Sequence, residues 1–341
     1  MGTVLTLVDV QRLKKTAFEK GVIEVFLRGA DITKVLPFET IGTVEAFDRV
    51  TDSIPTVGFR KRGEQFGPVA GGGETVVSDA TFPMGATIDI DITDVRDKAL
   101  TENPLALRTR EAVTALAWTF NDTFVNGDHG VDEDAFEGIK VRIATLPASQ
   151  TIYANTPTTA LDLVTAINTN DTATMHKFLD KIDEAIYACD GRQADVCITD
   201  ADAISMLKKV LRRLAFAKVD YEPFYPSDGT GGQNKRRTSA LPDNRPVFRY
   251  NGVDFYDMGL KANQVDPIVG TRTIGGVATR PMYFLKLGRP YFWGIQQYPM
   301  DIRGPRELDD GVTVRTVIDW PVGLRHVHRF SGSVLLGAKV S

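Results

Sequence analysis

Apolar residues recur every four positions through Ala112, Leu116, Phe120 and Phe124, with Val113 and Ala117 beside them. That spacing predicts one long amphipathic helix over Asn103–Asn126. Asn103 is placed to cap it, and Pro104 fits the first helical position, where a missing N–H costs nothing. Asn126-Gly127 is expected to end it, because glycine tolerates the left-handed conformation of a helix terminus. At about 1.5 Å per residue the rod is roughly 30 Å long. An acidic turn from Asp128 to Asp134 follows, and then Phe136-Glu137-Gly138-Ile139. A single rod followed by an acidic loop and a short strand is unusual in a small-molecule enzyme.

Upstream the pattern is different. Val8–Leu27 sets Leu13, Ala17 and Val22 at near-helical spacing against Lys14, Lys15, Glu19 and Lys20. It reads as an amphipathic helix or an extended arm that needs another surface to lie on. Ile41–Leu100 is sparse in apolar residues. Extended stretches at Thr51–Arg60 and Thr81–Ile92 flank Gly63, Gly67, Pro68 and Gly71-Gly72-Gly73. Together they predict an extended hairpin around a glycine-rich middle. Such a hairpin buries little within its own chain, so its order must come from elsewhere, most simply from a neighbouring copy.

Downstream, Lys140–Ala144 alternates and reads as a strand. Met175–Ala188 is an amphipathic helix with Phe178, Ile182 and Ile186 on one face, and Ala194–Thr199 is a short buried strand. A second helix, started by Asp200 or Asp202, carries Ile204, Leu207, Leu211 and Leu214. These three form one compact α/β module. Asp220–Asp243 is rich in Pro, Gly, Asn, Lys and Arg and is too long for an ordinary connection. Asn251-Gly252, between Val247–Tyr250 and Val253–Tyr256, is a strong hairpin signal. Met282–Leu287 and Tyr291–Ile295 read as a strand pair around Gly288-Arg289-Pro290. Val312–Val317 and Gly323–Val340 read as closing strands.

Composition narrows the function. The 341 residues are 43% apolar and 25% charged, which is ordinary globular usage and long enough for two domains. No apolar run approaches the ~20 residues of a bilayer span. Met1–Val10 lacks the charged start and apolar block of a signal peptide, so synthesis and folding inside the cell are expected. Two cysteines, Cys189 and Cys197, imply a reducing compartment and read as small buried hydrophobes. A net charge of −4 argues against a dedicated nucleic-acid-binding domain. Of the basic clusters, Lys208 to Arg213 is the polar side of a helix. Arg60-Lys61-Arg62 and Lys235-Arg236-Arg237 lie in Gly-rich loops, where contacts to a partner chain are expected.

Candidate chemistry is thin. His326 and His328 share one face of an expected strand, but no Cys or carboxylate nearby completes a metal site. His129, Asp132, Glu133 and Asp134 do not follow the alternating calcium-loop pattern and read as a solvated turn. Gly71–Gly73 and Gly229–Gly232 lack the Lys-Ser/Thr or strand–helix context of a phosphate loop. Ser205 and Ser331 lack a nucleophile elbow. No catalytic set, metal or cofactor is expected.

Three segments carry a resemblance. Phe124-Val125-Asn126-Gly127-Asp128 with Phe136-Glu137-Gly138-Ile139, Tyr250-Asn251-Gly252-Val253, and Asp319-Trp320-Pro321-Val322-Gly323-Leu324 occur in order. With the order of elements they resemble the major capsid proteins of tailed phages, the Hong Kong 97 fold, over nearly the whole chain. The fold implied is α+β: an N-arm (1–45), an extended E-loop hairpin (46–98), a peripheral domain with a long spine helix (99–160 and 297–321), and an axial α/β domain (161–296 and 322–341). The function implied is a major capsid protein that assembles through pentamers and hexamers into an icosahedral shell around double-stranded DNA. In that reading Arg60, Lys61, Arg62 and Glu64 make charged contacts across subunits, and Lys235, Arg236 and Arg237 line the capsomer centre. Partners implied are further copies of the chain, a portal, a separate scaffold and decoration proteins, with DNA held by proximity and no membrane. Assembly is expected in the host cytoplasm and residence in the virion. Some members of the family crosslink a hairpin lysine to an Asn of a neighbour, and Lys61 is the candidate lysine here, but no Asn–Glu partner is identifiable in the closing strands, and crosslinking is not expected. An encapsulin-like compartment shares the fold and is the alternative; a soluble α/β enzyme built on Ala194–Leu214 is a weaker one.

Overall fold

The computed structural model describes residues 4–14, 16–51, 57–65, 73–96, 104–214, 221–223, 246–309 and 311–340. Two buried clusters organise them. The first lies between the long helix Pro104–Asn126 and a six-stranded sheet whose axis is Thr313–His326. Trp320 sits at its centre, fully buried, with Phe26, Phe38 and Phe120 around it at ring separations of 5.6, 5.3 and 5.3 Å. Its indole N–H donates to Gln296 Oε1 at 3.0 Å, so a large apolar group enters the core without an orphaned donor.

The long helix begins at Pro104 as expected, while its anticipated cap Asn103 lies outside the described residues. It buries Val113, Leu116, Ala117, Phe120 and Phe124. The arm preceding it is helical, Leu7–Leu13 and Ala17–Gly29, and its Ile23, Phe26 and Leu27 are buried in the same core. Gly29 approaches so closely that a Cβ there would stand 2.8 Å from Ala117 Cβ.

The second cluster lies on a seven-stranded sheet. Helices Leu163–Thr169, Thr172–Ala188 and Ala201–Arg213 cover it. Val196–Thr199 runs through the middle, buried at every position, between Met282–Leu285 and Val253–Asp257. Asn251-Gly252 makes the expected tight turn: both residues have positive φ, 47° and 80°, and Tyr250 pairs with Val253. Cys189 and Cys197 are both buried, and burial pushes the Cys189 thiol up to about 11.

Three expectations need correction. Lys140–Ala144 is not a strand: Ile139–Ala144 is a helix, with Ile139 and Ile143 buried four residues apart. Five residues fit either period, and Arg142 is itself buried. Met282–Leu285 and Phe292–Gln296 do not pair, since the first belongs to the seven-stranded sheet and the second to the six-stranded one. The turn between them carries the chain from one sheet to the other. Finally, the hairpin arms are Glu45–Thr51 and Glu74–Ala80. Phe82–Asp91 instead pairs along Thr313–His326, because Ile88 and Ile90 find the main core on their face.

Candidate subunit-contact site

Among its described residues the hairpin is anchored at its root and exposed throughout 57–65. In an antiparallel ribbon, directly opposed residues share a face. Phe47 opposes Ser78 and Arg49 opposes Val76; on the other face Asp48 opposes Val77 and Ala46 opposes Asp79. The face with Asp48 and Asp79 turns inward onto a charge network. Phe47 and Val76, on the other face, stay 65% and 63% exposed.

The network joins six helices and strands and the turn that carries Arg289. Arg142 Nη2 donates to Asp79 Oδ1 at 2.7 Å, and both side chains are almost fully buried. Arg325, also buried, lies 3.5 Å from Asp79 and 3.2 Å from Asp48. Arg289 spans Asp48 at 3.8 Å and Glu39 at 2.7 Å. Trp293 Nε1–H completes the line by donating to Glu39 at 3.1 Å, with the Arg289 and Arg325 guanidiniums over its ring. The Arg325 contacts are ionic without hydrogen-bond alignment: its buried Nε and Nη2 meet no acceptor in hydrogen-bonding geometry. Buried charges of this kind fix position more than they add stability, and removing one partner costs several kcal/mol, about 3–5.

His326 joins the network edge. It stacks on Phe292 at 5.2 Å, and Arg142 Nη1 lies 3.3 Å from its Nδ1. Burial first and the Arg142 charge second push its pKa down to about 3, so the imidazole is neutral. His328 lies past the strand end and packs on Tyr291, so the two histidines do not share a face. Among the described residues no group of three His, Cys, Asp or Glu is placed to hold a metal. No helix among them is long and apolar enough to cross a membrane.

Glycines at the helix junction act by close approach. Gly127 does not take the expected left-handed φ. A Cβ on it would stand 2.3 Å from the Phe136 carbonyl oxygen, and one on Gly138 would stand 2.6 Å from that of Thr123. Gly138 N–H donates to Gly127 O at 2.8 Å, locking the end of the long helix to the start of the next. Gly323 has a similar role: a Cβ there would stand 2.5 Å from the Ala80 carbonyl oxygen at the hairpin root.

At the far end of the hairpin, Arg60, Lys61, Arg62 and Glu64 are all exposed, and together they form one turn. The Arg60 guanidinium donates to the Glu64 carbonyl at 2.8 Å, and Gly63 supplies a φ of 94°. Phe59 and Val57 beside them are 110% and 78% exposed. Lys235, Arg236 and Arg237 lie outside the described residues. The root network was missed from sequence. Its signal was Arg142 and Arg325, each with an apolar residue directly before it in the chain.

A long helix over a sheet, a projecting hairpin and a second α/β layer define the Hong Kong 97 capsid fold. The SrpI encapsulin complex of Synechococcus elongatus PCC 7942 matches with a TM-score of 0.54 over 91% of this chain and 88% of that one, at 10% identity. The capsid of the empty GTA particle matches with 0.54 over 93% and 90%, at 13% identity. Mycobacterium phage Bobi gives 0.52 over 92% and 91%, at 10% identity. No family model and no curated protein matches the chain. Likeness at these identities is likeness of fold.

Proposed function

We propose that this chain is the major capsid protein of a tailed phage, tiling as pentamers and hexamers into an icosahedral shell around double-stranded DNA. One observation carries it: a hairpin rigidly rooted by buried charge that leaves Phe47, Val57, Phe59 and Val76 uncovered. Both cores are complete without those side chains. Exposed apolar groups on a projecting element are contact surface in waiting. A subunit with several such surfaces gains affinity from their sum over a closed lattice.

On this reading 1–45 is the N-arm, 46–98 the E-loop, 99–160 with 297–321 the peripheral domain, and 161–296 with 322–341 the axial domain. Arg60, Lys61, Arg62 and Glu64 contact a neighbouring copy, and Lys235, Arg236 and Arg237 line the capsomer centre. A portal, a separate scaffold and decoration proteins complete the virion, which assembles in the host cytoplasm. A protein nanocompartment is the second reading, favoured by the equal likeness to the encapsulin complex. Negative-stain electron microscopy and size-exclusion chromatography of the chain, alone and co-expressed with its neighbouring genes, test the proposal. Closed shells or five- and six-membered rings are expected; a monomer under both conditions overturns it. Nuclease-protected DNA inside the shells separates the phage reading from a compartment filled with protein cargo.

A further inference from the structure

The two ends of the hairpin carry complementary surfaces. At the root, an open groove of about 680 Å3 runs between Glu39–Ile41 and Thr43–Asp48. Val44 and Phe47 line it and are 59% and 65% exposed. Its charged groups are three carboxylates, Glu39, Glu45 and Asp48, against two guanidiniums, Arg289 and Arg325. Glu39 and Asp48 are engaged by those arginines, while Glu45 makes no ion pair among the described residues. The groove therefore offers an apolar wall with a surplus negative charge beside it.

The tip is the converse. Val57 and Phe59 are exposed next to three cations, Arg60, Lys61 and Arg62, against one carboxylate, Glu64. Lys61 and Arg62 make no ion pair among the described residues, whereas Arg60 is used to shape the turn. A turn held by its own hydrogen bonds and by Gly63 loses less freedom on binding than a slack loop would. Within one chain the two surfaces stay apart: no residue of 57–65 lines the groove.

We propose that the hairpin tip of one copy seats in the root groove of a second copy, Phe59 against Val44 and Phe47, with Lys61 and Arg62 facing Glu45. This rests on the shell reading above and names the surface that the hairpin meets. Different patches meet, so the contact is heterologous: each copy gives a tip and receives one, and the series closes when a ring is complete. The groove lies at the charge network, so an incoming tip bears on the rigid part of its neighbour.

Charge reversal tests it. K61E/R62E alone and E45K alone are each expected to reduce assembled shells at least tenfold, because like charges then face each other. K61E/R62E/E45K together are expected to recover at least half the wild-type yield. Singles that assemble like wild type, or a combined variant no better than the singles, overturn the inference. All three sites are exposed, and thermal melts of the unassembled variants identify any that misfold. For those, shells co-assembled from F47C and F59C copies are oxidised. Covalent dimers on a non-reducing gel support the contact, and their absence overturns it. The native cysteines are buried and do not interfere. A wild-type chain that forms no shells or rings sinks the shell reading; intact wild-type assembly with indifferent swaps sinks only the tip-to-groove contact.

Discussion

Gly138 and Gly21 make opposite demands on a single methyl group. At Gly138 a Cβ would meet the Thr123 carbonyl oxygen at 2.6 Å and the Gly127 nitrogen at 2.9 Å, all backbone that cannot swing aside. At Gly21, inside the arm helix Ala17–Gly29, a Cβ meets nothing within 4 Å. Gly138→Ala is therefore expected to destabilise by about 2–4 kcal/mol, by forcing two helix ends apart. Gly21→Ala is expected to stabilise by about 0.5–1 kcal/mol, since alanine loses less entropy in a helix. Urea denaturation of the unassembled subunit measures both; equal effects would mean that the junction relaxes freely. Residue chemistry was unevenly legible in the sequence. Asn251-Gly252 was readable because its turn is local. Gly127 was readable as a terminus but not as a contact, because the Phe136 carbonyl it touches arrives from beyond a turn. The burial of Arg142 was not readable, because nothing local reveals that Asp79 comes to it.

Asp79 binds the hairpin to the body at the scale of elements. It faces two buried guanidiniums, Arg142 at 2.7 Å and Arg325 at 3.5 Å. Asp79→Ala removes the closest carboxylate of buried Arg142 and leaves Arg325 with Asp48 alone, and is expected to cost about 3–5 kcal/mol, measured by urea denaturation. Asp48→Ala is expected to cost less, since Asp48 is one-third exposed and shares its arginines with other carboxylates. His326 adds a pH dependence to this junction. Its folded pKa of about 3 lies below the ordinary 6.5, so between those values the unfolded chain binds a proton that the folded chain does not. Its neutral form favours folding above about pH 6.5, and that contribution falls away as pH drops toward 3. Going from pH 7 to pH 5 is expected to lose about 1–2 kcal/mol through this group alone. His326→Gln should remove that component; an unchanged pH slope in the variant would show that His326 is hydrated in the folded state. Long elements were legible because several turns of the same period reinforce each other, as in Pro104–Asn126. Met282–Leu285 and Phe292–Gln296 were paired wrongly because two adjacent strands normally form a hairpin, and only the three-dimensional layers show that the chain changes sheets there.

A shell subunit must be stable before it meets its neighbours, yet carry surface that is satisfied only after it does. This chain separates the two requirements in space. Stability resides in two closed cores, and the charge network fixes the hairpin root in place. The proposed contact surface is the tip, where Val57 and Phe59 touch neither core. Replacing 57–65 by a short Gly-Ser turn should therefore leave the unfolding free energy of the subunit within about 1 kcal/mol, because surface changes away from buried features act weakly. The same replacement should abolish shells, because a contact repeated at every subunit is removed at every subunit. Size-exclusion chromatography beside urea denaturation reads the two effects separately. Loss of stability and assembly together would mean that the tip folds back onto its own body. Retained assembly would move the essential contact to the arm or the long helix. The separation also explains why the overall architecture was legible from the order of elements while the tip was named only from its basic cluster and a family resemblance. Elements bury surface within one chain and so write their period into its sequence. On the proposed reading the tip has its partner on another copy, so it leaves in this chain only a short mixed run, Val57-Gly58-Phe59-Arg60-Lys61-Arg62, with no period of its own.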